Sequence, residues 1–434
     1  MPRTAPIYYA LTIGSNWGWF LGPFYPLFLL SLDLSLTQAS AVLAAYFITT
    51  LLFEVPTGAV ADVFGRRTAF LLSCLTRASA FLLYFFADSF ADCITAEVID
   101  AFGTALSSGA LEAWAVDQTQ AEGDSQPTTR LFARANTWMR SMMALLGLAG
   151  VAIATIDLRL PWLVGATGYA STFVFAWFFM RETRPAAATT MSAHQVLTHG
   201  LTTRAAAPVH SLGSLVATAG TSVVRTLHEA LGEIVHSSTV RVLCLLTVAT
   251  AFGVMPVYFA WPAFVRDLVD SDLLILGLVW SAISLASALG SATVPRALRT
   301  ANRPLVLALT EALRGVGIGL VALATSVGQA ALGLVLLEFG LGLSSPIFQA
   351  WVNEHVGNER RATALSMVEM SFTGGAAVGL LILGRLAEMQ GFRAAWLISA
   401  VLLVALAPTF ILIRWQEPVA PHAVPQASEP GLPD

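Results

Sequence analysis

Charged side chains inside long apolar stretches are the groups of this sequence that could do chemistry. Asp100 and Glu97 lie in one such stretch, and Arg77 lies in the stretch before it. An ionised group in hydrocarbon costs at least ~2.5–3.5 kcal/mol, so it is usually paired or functional. We expect Arg77 and Asp100 to form an ion pair, because an antiparallel hairpin would place them at similar depth. Asp100, Glu97 and Arg77 are candidates for proton coupling, since desolvation favours the neutral form of a carboxyl group. A purely structural ion pair is the alternative.

Composition indicates which solvent surrounds these stretches. Hydrophobic residues make up 56% of the 434 positions and charged residues 12%, against roughly 25% charged in an average soluble domain. A transmembrane helix needs about 20 mostly apolar residues, and helices or closed barrels are the structures that satisfy the backbone in lipid. The continuous runs favour helices. The predicted spans are 7–30, 38–59, 68–87, 92–116, 133–156, 160–180, 240–265, 272–294, 304–324, 326–352, 362–387 and 392–414.

A polar break divides the chain into the predicted regions. These are a first half at 1–181, a cytoplasmic linker at 182–239, a second half at 240–415 and a disordered tail at 416–434. Apolar residues at helical spacing near the end of the linker indicate either an amphipathic helix on the membrane surface or a lead-in to the seventh span. All basic residues are Arg, and most fall on one side of the membrane, which places both termini in the cytoplasm.

The two halves resemble each other in sequence. When the chain is shifted by 237 positions, Arg77 falls on Arg314 and Asp117 falls on Glu354. Under the same shift, seven residues between 102 and 114 fall on identical residues between 339 and 351, including Ser107 and Ser108 on Ser344 and Ser345. Self-similarity of this kind predicts two related halves of six spans each.

A ten-residue motif between the second and third spans identifies the family. Gly58, Asp62, Gly65, Arg66 and Arg67 fill the pattern Gly-x-x-x-Asp-x-x-Gly-Arg-Arg, which resembles the signature loop of the major facilitator superfamily. A plain positive-inside turn would explain the two arginines, but not the glycines and the aspartate together.

The resemblance implies an all-α membrane fold of about twelve helices in two pseudo-symmetric halves, with this loop as a conformational latch on the cytoplasmic side. Hairpin geometry then predicts that either Asp117 or Glu112 pairs with Arg66 when the cytoplasmic side is closed.

In that family the first, fourth, seventh and tenth spans line a central cavity. Polar and aromatic residues on these spans are therefore the candidates for contacting a substrate, although aromatic residues near helix ends are more commonly interfacial anchors. The candidates are Asn16, Trp19, Tyr25, Thr104, Ser107, Ser108, Tyr258, Trp261, Glu338, Ser345 and Gln349.

The predicted function is secondary active transport by alternating access, with proton-coupled export of a small amphipathic compound across a bacterial inner membrane. Uptake of a nutrient or metabolite is the alternative, and a membrane-embedded enzyme or a sensor is more distant. Two features of proton-coupled drug exporters are missing, because the fourth span has no Arg and the fifth has no Gly-Pro element. The expected partners are the lipid bilayer, a small-molecule substrate and protons. We expect a monomer with no cofactor, metal ion or nucleic acid.

Overall fold

The apolar runs fold into helices that cross the bundle alternately in opposite directions. The computed structural model describes residues 4–122, 128–181, 238–268, 273–355 and 361–412. The first half contains span 1 (Thr4–Gly14, the 3-10 turn Trp17–Leu21 and Tyr25–Ser31), span 2 (Leu36–Phe64), span 3 (Arg66–Phe85), span 4 (Phe90–Ser107 and Ala110–Ala121), span 5 (Thr128–Ala154) and span 6 (Leu160–Phe179). The second half contains span 7 (Ser238–Asp267), span 8 (Leu274–Thr300), span 9 (Arg303–Leu323), span 10 (Val327–His355), span 11 (Arg361–Gln390) and span 12 (Phe392–Leu406 and Thr409–Leu412).

The described residues therefore form an all-α membrane fold, in which twelve spans can be traced. Within the described ranges, 9 helices are long and apolar enough to cross a bilayer by themselves. They are span 2, span 3 and span 6 to span 12. Span 7 begins at Ser238, just inside the predicted linker. The predicted amphipathic helix and the predicted tail at 416–434 lie outside the described residues.

Spans 1 and 4 are interrupted, whereas the sequence predicted continuous helices. Span 4 breaks at Gly109, whose φ of 69° is left-handed, a conformation that glycine adopts without the steric penalty of a side chain. Span 1 passes through a 3-10 turn and resumes at Tyr25, where Pro26 occupies the first turn of the helix. Pro23 restricts the residue before it away from the helical region, which explains why the two helices do not join.

Equivalent positions of the two halves pack alike. A Cβ added to Gly103 would lie 2.6 Å from Arg77 Cγ, and a Cβ added to Gly340 would lie 2.6 Å from Arg314 Cγ. Gly103 and Gly340 are related by the shift of 237, as are the two arginines. In both halves, glycine on the fourth or tenth span allows the arginine stem of the preceding span to cross it closely.

The two halves meet along two seams, where span 2 packs against span 11 and span 5 packs against span 8. In the first seam, the Thr37 amide donates a hydrogen bond of 2.7 Å to the Glu388 carboxylate. In the second, Trp280 Nε1 donates a hydrogen bond of 3.4 Å to the carbonyl of Met143.

The apolar core is continuous between the halves at one end of the bundle only. We call the end that contains Arg66 and Asp117 the latch end, and the opposite end the far end. At the far end, one cluster of buried side chains draws on both halves, including Phe24, Trp162 and Trp261. At the latch end, the core separates into clusters that belong to the first half alone or to the second half alone. The halves are therefore joined at the far end and separately packed at the latch end.

Candidate functional site

Arg77 and Asp100 form the predicted ion pair inside the first half. Arg77 Nε lies 2.9 Å from Asp100 Oδ1 and Nη2 lies 3.4 Å from Oδ2, which is a two-point contact. Arg77 Nη1 also donates a hydrogen bond of 2.9 Å to the carbonyl of Ser15, and the guanidinium lies 4.5 Å from the centre of the Tyr169 ring. Both charged side chains are buried. The pair ties spans 1, 3, 4 and 6 together.

Glu97 is buried one helical turn from this pair, and it accepts hydrogen bonds from hydroxyl groups. The Tyr25 hydroxyl donates to its Oε2 at 2.9 Å, and the Tyr84 hydroxyl donates to the same oxygen. The ring of Tyr84 stacks on Trp162 with 4.0 Å between centroids. No ion pair of Glu97 occurs within the described ranges. Glu97 is thus a buried carboxyl group held by neutral donors, whereas Asp100 has a cationic partner.

Tyr25 links Glu97 to the contact between the halves. Its ring packs edge-on against Phe259 of span 7, with 6.0 Å between centroids. Tyr25 was predicted to line a substrate cavity. It lies with Glu97 in an aromatic cluster at the far end, because the hydroxyls of Tyr25 and Tyr84 turn inward to satisfy the carboxylate.

The latch loop makes one of the two predicted contacts. Arg66 Nη1 donates to the Asp117 carboxylate and to the carbonyl of Ala113. Asp117 is therefore the partner in this conformation, and Glu112 has an exposed side chain. Arg67 turns towards span 6, where its Nη2 donates a hydrogen bond of 2.7 Å to the Trp177 carbonyl and its guanidinium lies over the Trp177 ring.

The motif at 58–67 forms a break between two helices, and this break is shorter than the predicted loop. Gly65, with φ of 92°, separates spans 2 and 3 by itself. Gly58 lies inside span 2 and a Cβ there would meet nothing within 4 Å. The side chain of Asp62 lies outside the described part of the chain.

The remaining candidates on spans 1, 4 and 7 do not converge on one cavity. The hydroxyls of Thr104 and Ser107 donate to backbone carbonyls one turn earlier in span 4, and the Asn16 amide does so in span 1. Ser108 is exposed at the break in span 4, and the Trp19 side chain is outside the described part. Trp261 is buried in the shared core. Tyr258 lies beside Glu338, and both interact electrostatically with Arg314.

A cavity of about 500 Å³ lies in the second half, between spans 7, 9, 10, 11 and 12. Two of the predicted residues, Ser345 and Gln349, line it. Glu311, Arg314 and Glu369 also line it, although the sequence interpretation placed none of them in a binding site. Glu311 and Arg314 are three residues apart on span 9, which is a spacing that allows an ion pair within one helix. An acid near the start of span 11 was the signal that was missed.

The charges of this cavity are unequally matched. Glu311 Oε2 lies 2.8 Å from Arg314 Nη1, and Glu311 Oε1 accepts a hydrogen bond of 2.7 Å from Thr250. Glu369 has no ion pair or side-chain hydrogen bond to any described residue, and it lies close enough to Glu54 of span 2 for the two carboxylates to repel each other. No group of three or more His, Cys, Asp or Glu in the described ranges could hold a metal ion.

Comparisons with known proteins agree with this architecture. Among solved structures, the nucleoside transporter NupG has a TM-score of 0.72 at 15% identity over 94% of this chain and 98% of that chain. A POT family transporter in complex with a thioalcohol conjugated peptide has a TM-score of 0.70 at 14% identity over 95% and 96%. The human organic anion transporter MFSD10 (TETRAN) has a TM-score of 0.63 at 15% identity over 94% and 99%. Identities this low establish the fold alone.

Sequence comparison establishes the family. The uncharacterized MFS-type transporter YxaM of Bacillus subtilis (strain 168) is 35% identical over 92 residues, which is 21% of this chain and 23% of that relative. The match thus spans about a quarter of the curated relative's length. The sequence model of the Major Facilitator Superfamily matches residues 8–313 and 243–433. With both halves matched by that model and the whole described fold shared with its transporters, the chain belongs to the Major Facilitator Superfamily.

Proposed function

We propose that this protein is a proton-coupled secondary transporter that exports a small amphipathic compound by alternating access. The observation that carries this proposal is the divided core, which is shared between the halves at the far end and separate at the latch end. Two packed halves that are joined at one end can rock about the binding region between them, which is the motion that alternating access requires.

Arginine placement supports an orientation with the latch end in the cytoplasm. Arg66 and Arg67 lie at the latch end, as do Arg296, Arg299 and Arg303 at the turn between spans 8 and 9. The far end carries fewer arginines among the described residues, and an excess of arginine marks the cytoplasmic face. In this orientation the separately packed latch ends of the two halves face the cytoplasm, both termini are cytoplasmic, and the Arg66–Asp117 contact is the part of the cytoplasmic latch that lies within the first half.

Glu97 is the proposed proton carrier, and the Arg77–Asp100 pair is its structural support. A carboxylate that already has a cationic partner resists protonation, whereas one held by neutral donors in an apolar setting takes up a proton more readily. Protonation converts one Glu97 oxygen into a donor. When the proton binds Oε2, the hydrogen bond from Tyr25 to that oxygen rearranges, and Tyr25 packs against Phe259 of the other half. This provides a route from proton binding to the contact that joins the halves.

The proposal is tested with a panel of toxic amphipathic compounds in an efflux-deficient bacterial host that expresses the protein. We expect lower accumulation of at least one compound, and an uncoupler should abolish the difference. Cells that express Glu97→Gln should accumulate as much compound as host cells without the protein. Cells that express Asp88→Asn should accumulate as little as those with the wild type, since Asp88 is an exposed acid at the far end. Raised accumulation would indicate uptake, and accumulation that is independent of the uncoupler would contradict proton coupling.

A further inference from the structure

Two residues that line the cavity of the second half have apolar counterparts in the core of the first half. Under the shift of 237, Glu369 corresponds to Phe132 and Phe410 corresponds to Phe173. Phe132 and Phe173 pack against the latch-end core of the first half, and the Phe132 ring lies 5.7 Å from that of Tyr8. The same scaffold position therefore holds an apolar side chain in one half and a carboxylate beside an open space in the other.

The charge balance of the space is negative. Arg314 is the one cation among the described residues that line it, and Glu311 neutralises that cation through a contact of 2.8 Å. Glu369 is left over, with the carboxylate of Glu54 nearby across the seam between the halves. An uncompensated charge at membrane depth is costly unless a ligand or water matches it.

The residues that line the cavity could contact an apolar organic group, and Arg314 adds one further polar side chain. Phe348, Phe372 and Phe410 line the space, and the face of an aromatic ring attracts a cation that lies within about 6 Å of its centre. Arg314 is 6% exposed, and its Nε is a buried donor without an acceptor among the described residues. An acceptor oxygen on a ligand would accept a hydrogen bond from the guanidinium.

We propose that this cavity binds a monovalent organic cation that has an aromatic or alkyl body and a hydrogen-bond acceptor. Glu369 matches the positive charge, the phenylalanine rings cover the apolar part, and the Arg314 guanidinium, which lines the space, donates to the acceptor. The inference rests on the proposed function only in naming the bound compound as the cargo, because binding itself requires no transport.

The test measures equilibrium binding of radiolabelled benzoylcholine to the full chain in lipid nanodiscs, with empty nanodiscs as the blank. Benzoylcholine carries a quaternary ammonium and an ester carbonyl. The uncharged compound 3,3-dimethylbutyl benzoate has the same shape and serves as the competitor. We expect saturable binding, with competition by excess unlabelled benzoylcholine and at least 10-fold weaker competition by the uncharged isostere. Equal competition by both compounds would overturn the inference.

Variants locate the site. Glu369→Gln should weaken binding at least 10-fold, whereas Asp267→Asn should leave it unchanged, since Asp267 is an exposed acid at the end of span 7. Ser366→Phe keeps every charge and fills the space, so it should also abolish binding. Each variant is checked for a normal melting curve. If Glu369→Gln and Ser366→Phe both bind benzoylcholine with wild-type affinity, the cation binds elsewhere. If Glu369→Gln does not fold, the inference is tested by benzoylcholine binding to Ser366→Phe and by competition with the uncharged isostere.

Failure of this inference can be distinguished from failure of the proposed function. Binding of benzoylcholine without any flux into proteoliposomes would leave the cation site in place and contradict transport. Uncoupler-sensitive export of other compounds by a protein that does not bind benzoylcholine would support transport and contradict the cation site.

Discussion

The two halves of this protein share a scaffold and differ in the side chains at corresponding positions. Both place an arginine in the third span of the half, against a glycine one span later. In the first half the arginine pairs with Asp100 on the neighbouring helix, while in the second Arg314 pairs with Glu311 on its own helix. In the first half Phe132 and Phe173 pack against the latch-end core, while the corresponding Glu369 and Phe410 of the second half line a cavity of about 500 Å³. The two halves thus place different side chains on one scaffold.

The largest expected effect is a difference in stability between the variants Arg77→Ala and Arg314→Ala. Arg77→Ala leaves Asp100 buried without a counter-charge, and breaking a buried pair in this way destabilises a protein by about 3–5 kcal/mol. Arg314→Ala should cost less, because Glu311 keeps its hydrogen bond from Thr250 and adjoins a cavity that admits water. Thermal unfolding in detergent measures both. Adding Asp100→Asn to Arg77→Ala should restore part of the loss, and equal losses for the two single variants would contradict the difference between the halves.

Exchanging the corresponding residues Phe132 and Glu369 tests the same contrast. Phe132→Glu introduces a carboxylate among packed apolar side chains, and we expect a loss of about 3 kcal/mol or more, close to the cost of deleting a core aromatic side chain. Glu369→Phe removes an uncompensated charge and fills space, so the melting temperature should rise while benzoylcholine binding is lost. A fall in melting temperature for Glu369→Phe would show that the site of Glu369 is as tightly packed as that of Phe132.

The matched glycines should respond alike. Gly103→Ala and Gly340→Ala each place a methyl group 2.6 Å from an arginine Cγ, and overpacking of this kind typically costs about 1–3 kcal/mol. Melting temperatures of the two variants should fall by similar amounts. A large fall for one and none for the other would mean that the two crossings are not equivalent.

The smallest effect on stability is expected at the latch. Arg66 and Asp117 are partly exposed, with side-chain exposures of 35% and 28%, so Asp117→Asn should change the free energy of unfolding by less than about 1 kcal/mol. Glu112→Gln is the matched control and should change nothing. Spin labels on the latch ends of spans 2 and 11 would show whether Asp117→Asn alters the distance between the halves. An unchanged distance distribution would contradict the proposed latch.

Much of the fold could be predicted from the sequence because lipid enforces long apolar helices. The twelve runs, the repeat and the Arg77–Asp100 pair follow from hydropathy and from counting residues around a hairpin. The breaks in spans 1 and 4 could not be predicted, since Gly109 and Pro23 are both tolerated within membrane helices and local conformation depends on neighbouring spans.

The candidate site was harder to predict than the fold. Polar residues of span 4 were expected to line a water-filled cavity, but Glu97 turns towards Tyr25 and Tyr84 in the interior. At the cavity of the second half, Glu369 stands where Phe132 stands in the first half. The sequence contains that difference, but only the packed structure indicates that the space stays open and that Glu369 lacks a partner among the described residues.

The most direct test of the account is benzoylcholine transport in proteoliposomes under an imposed pH gradient, with the membrane potential clamped. The wild type should accumulate the cation against its own concentration gradient when protons flow down their gradient in the opposite direction, as in an exchanger. Glu97→Gln should retain binding and exchange of labelled for unlabelled cation, but lose the response to pH. A Glu97→Gln protein that still concentrates benzoylcholine in response to the pH gradient would contradict the assignment of proton coupling to the first half.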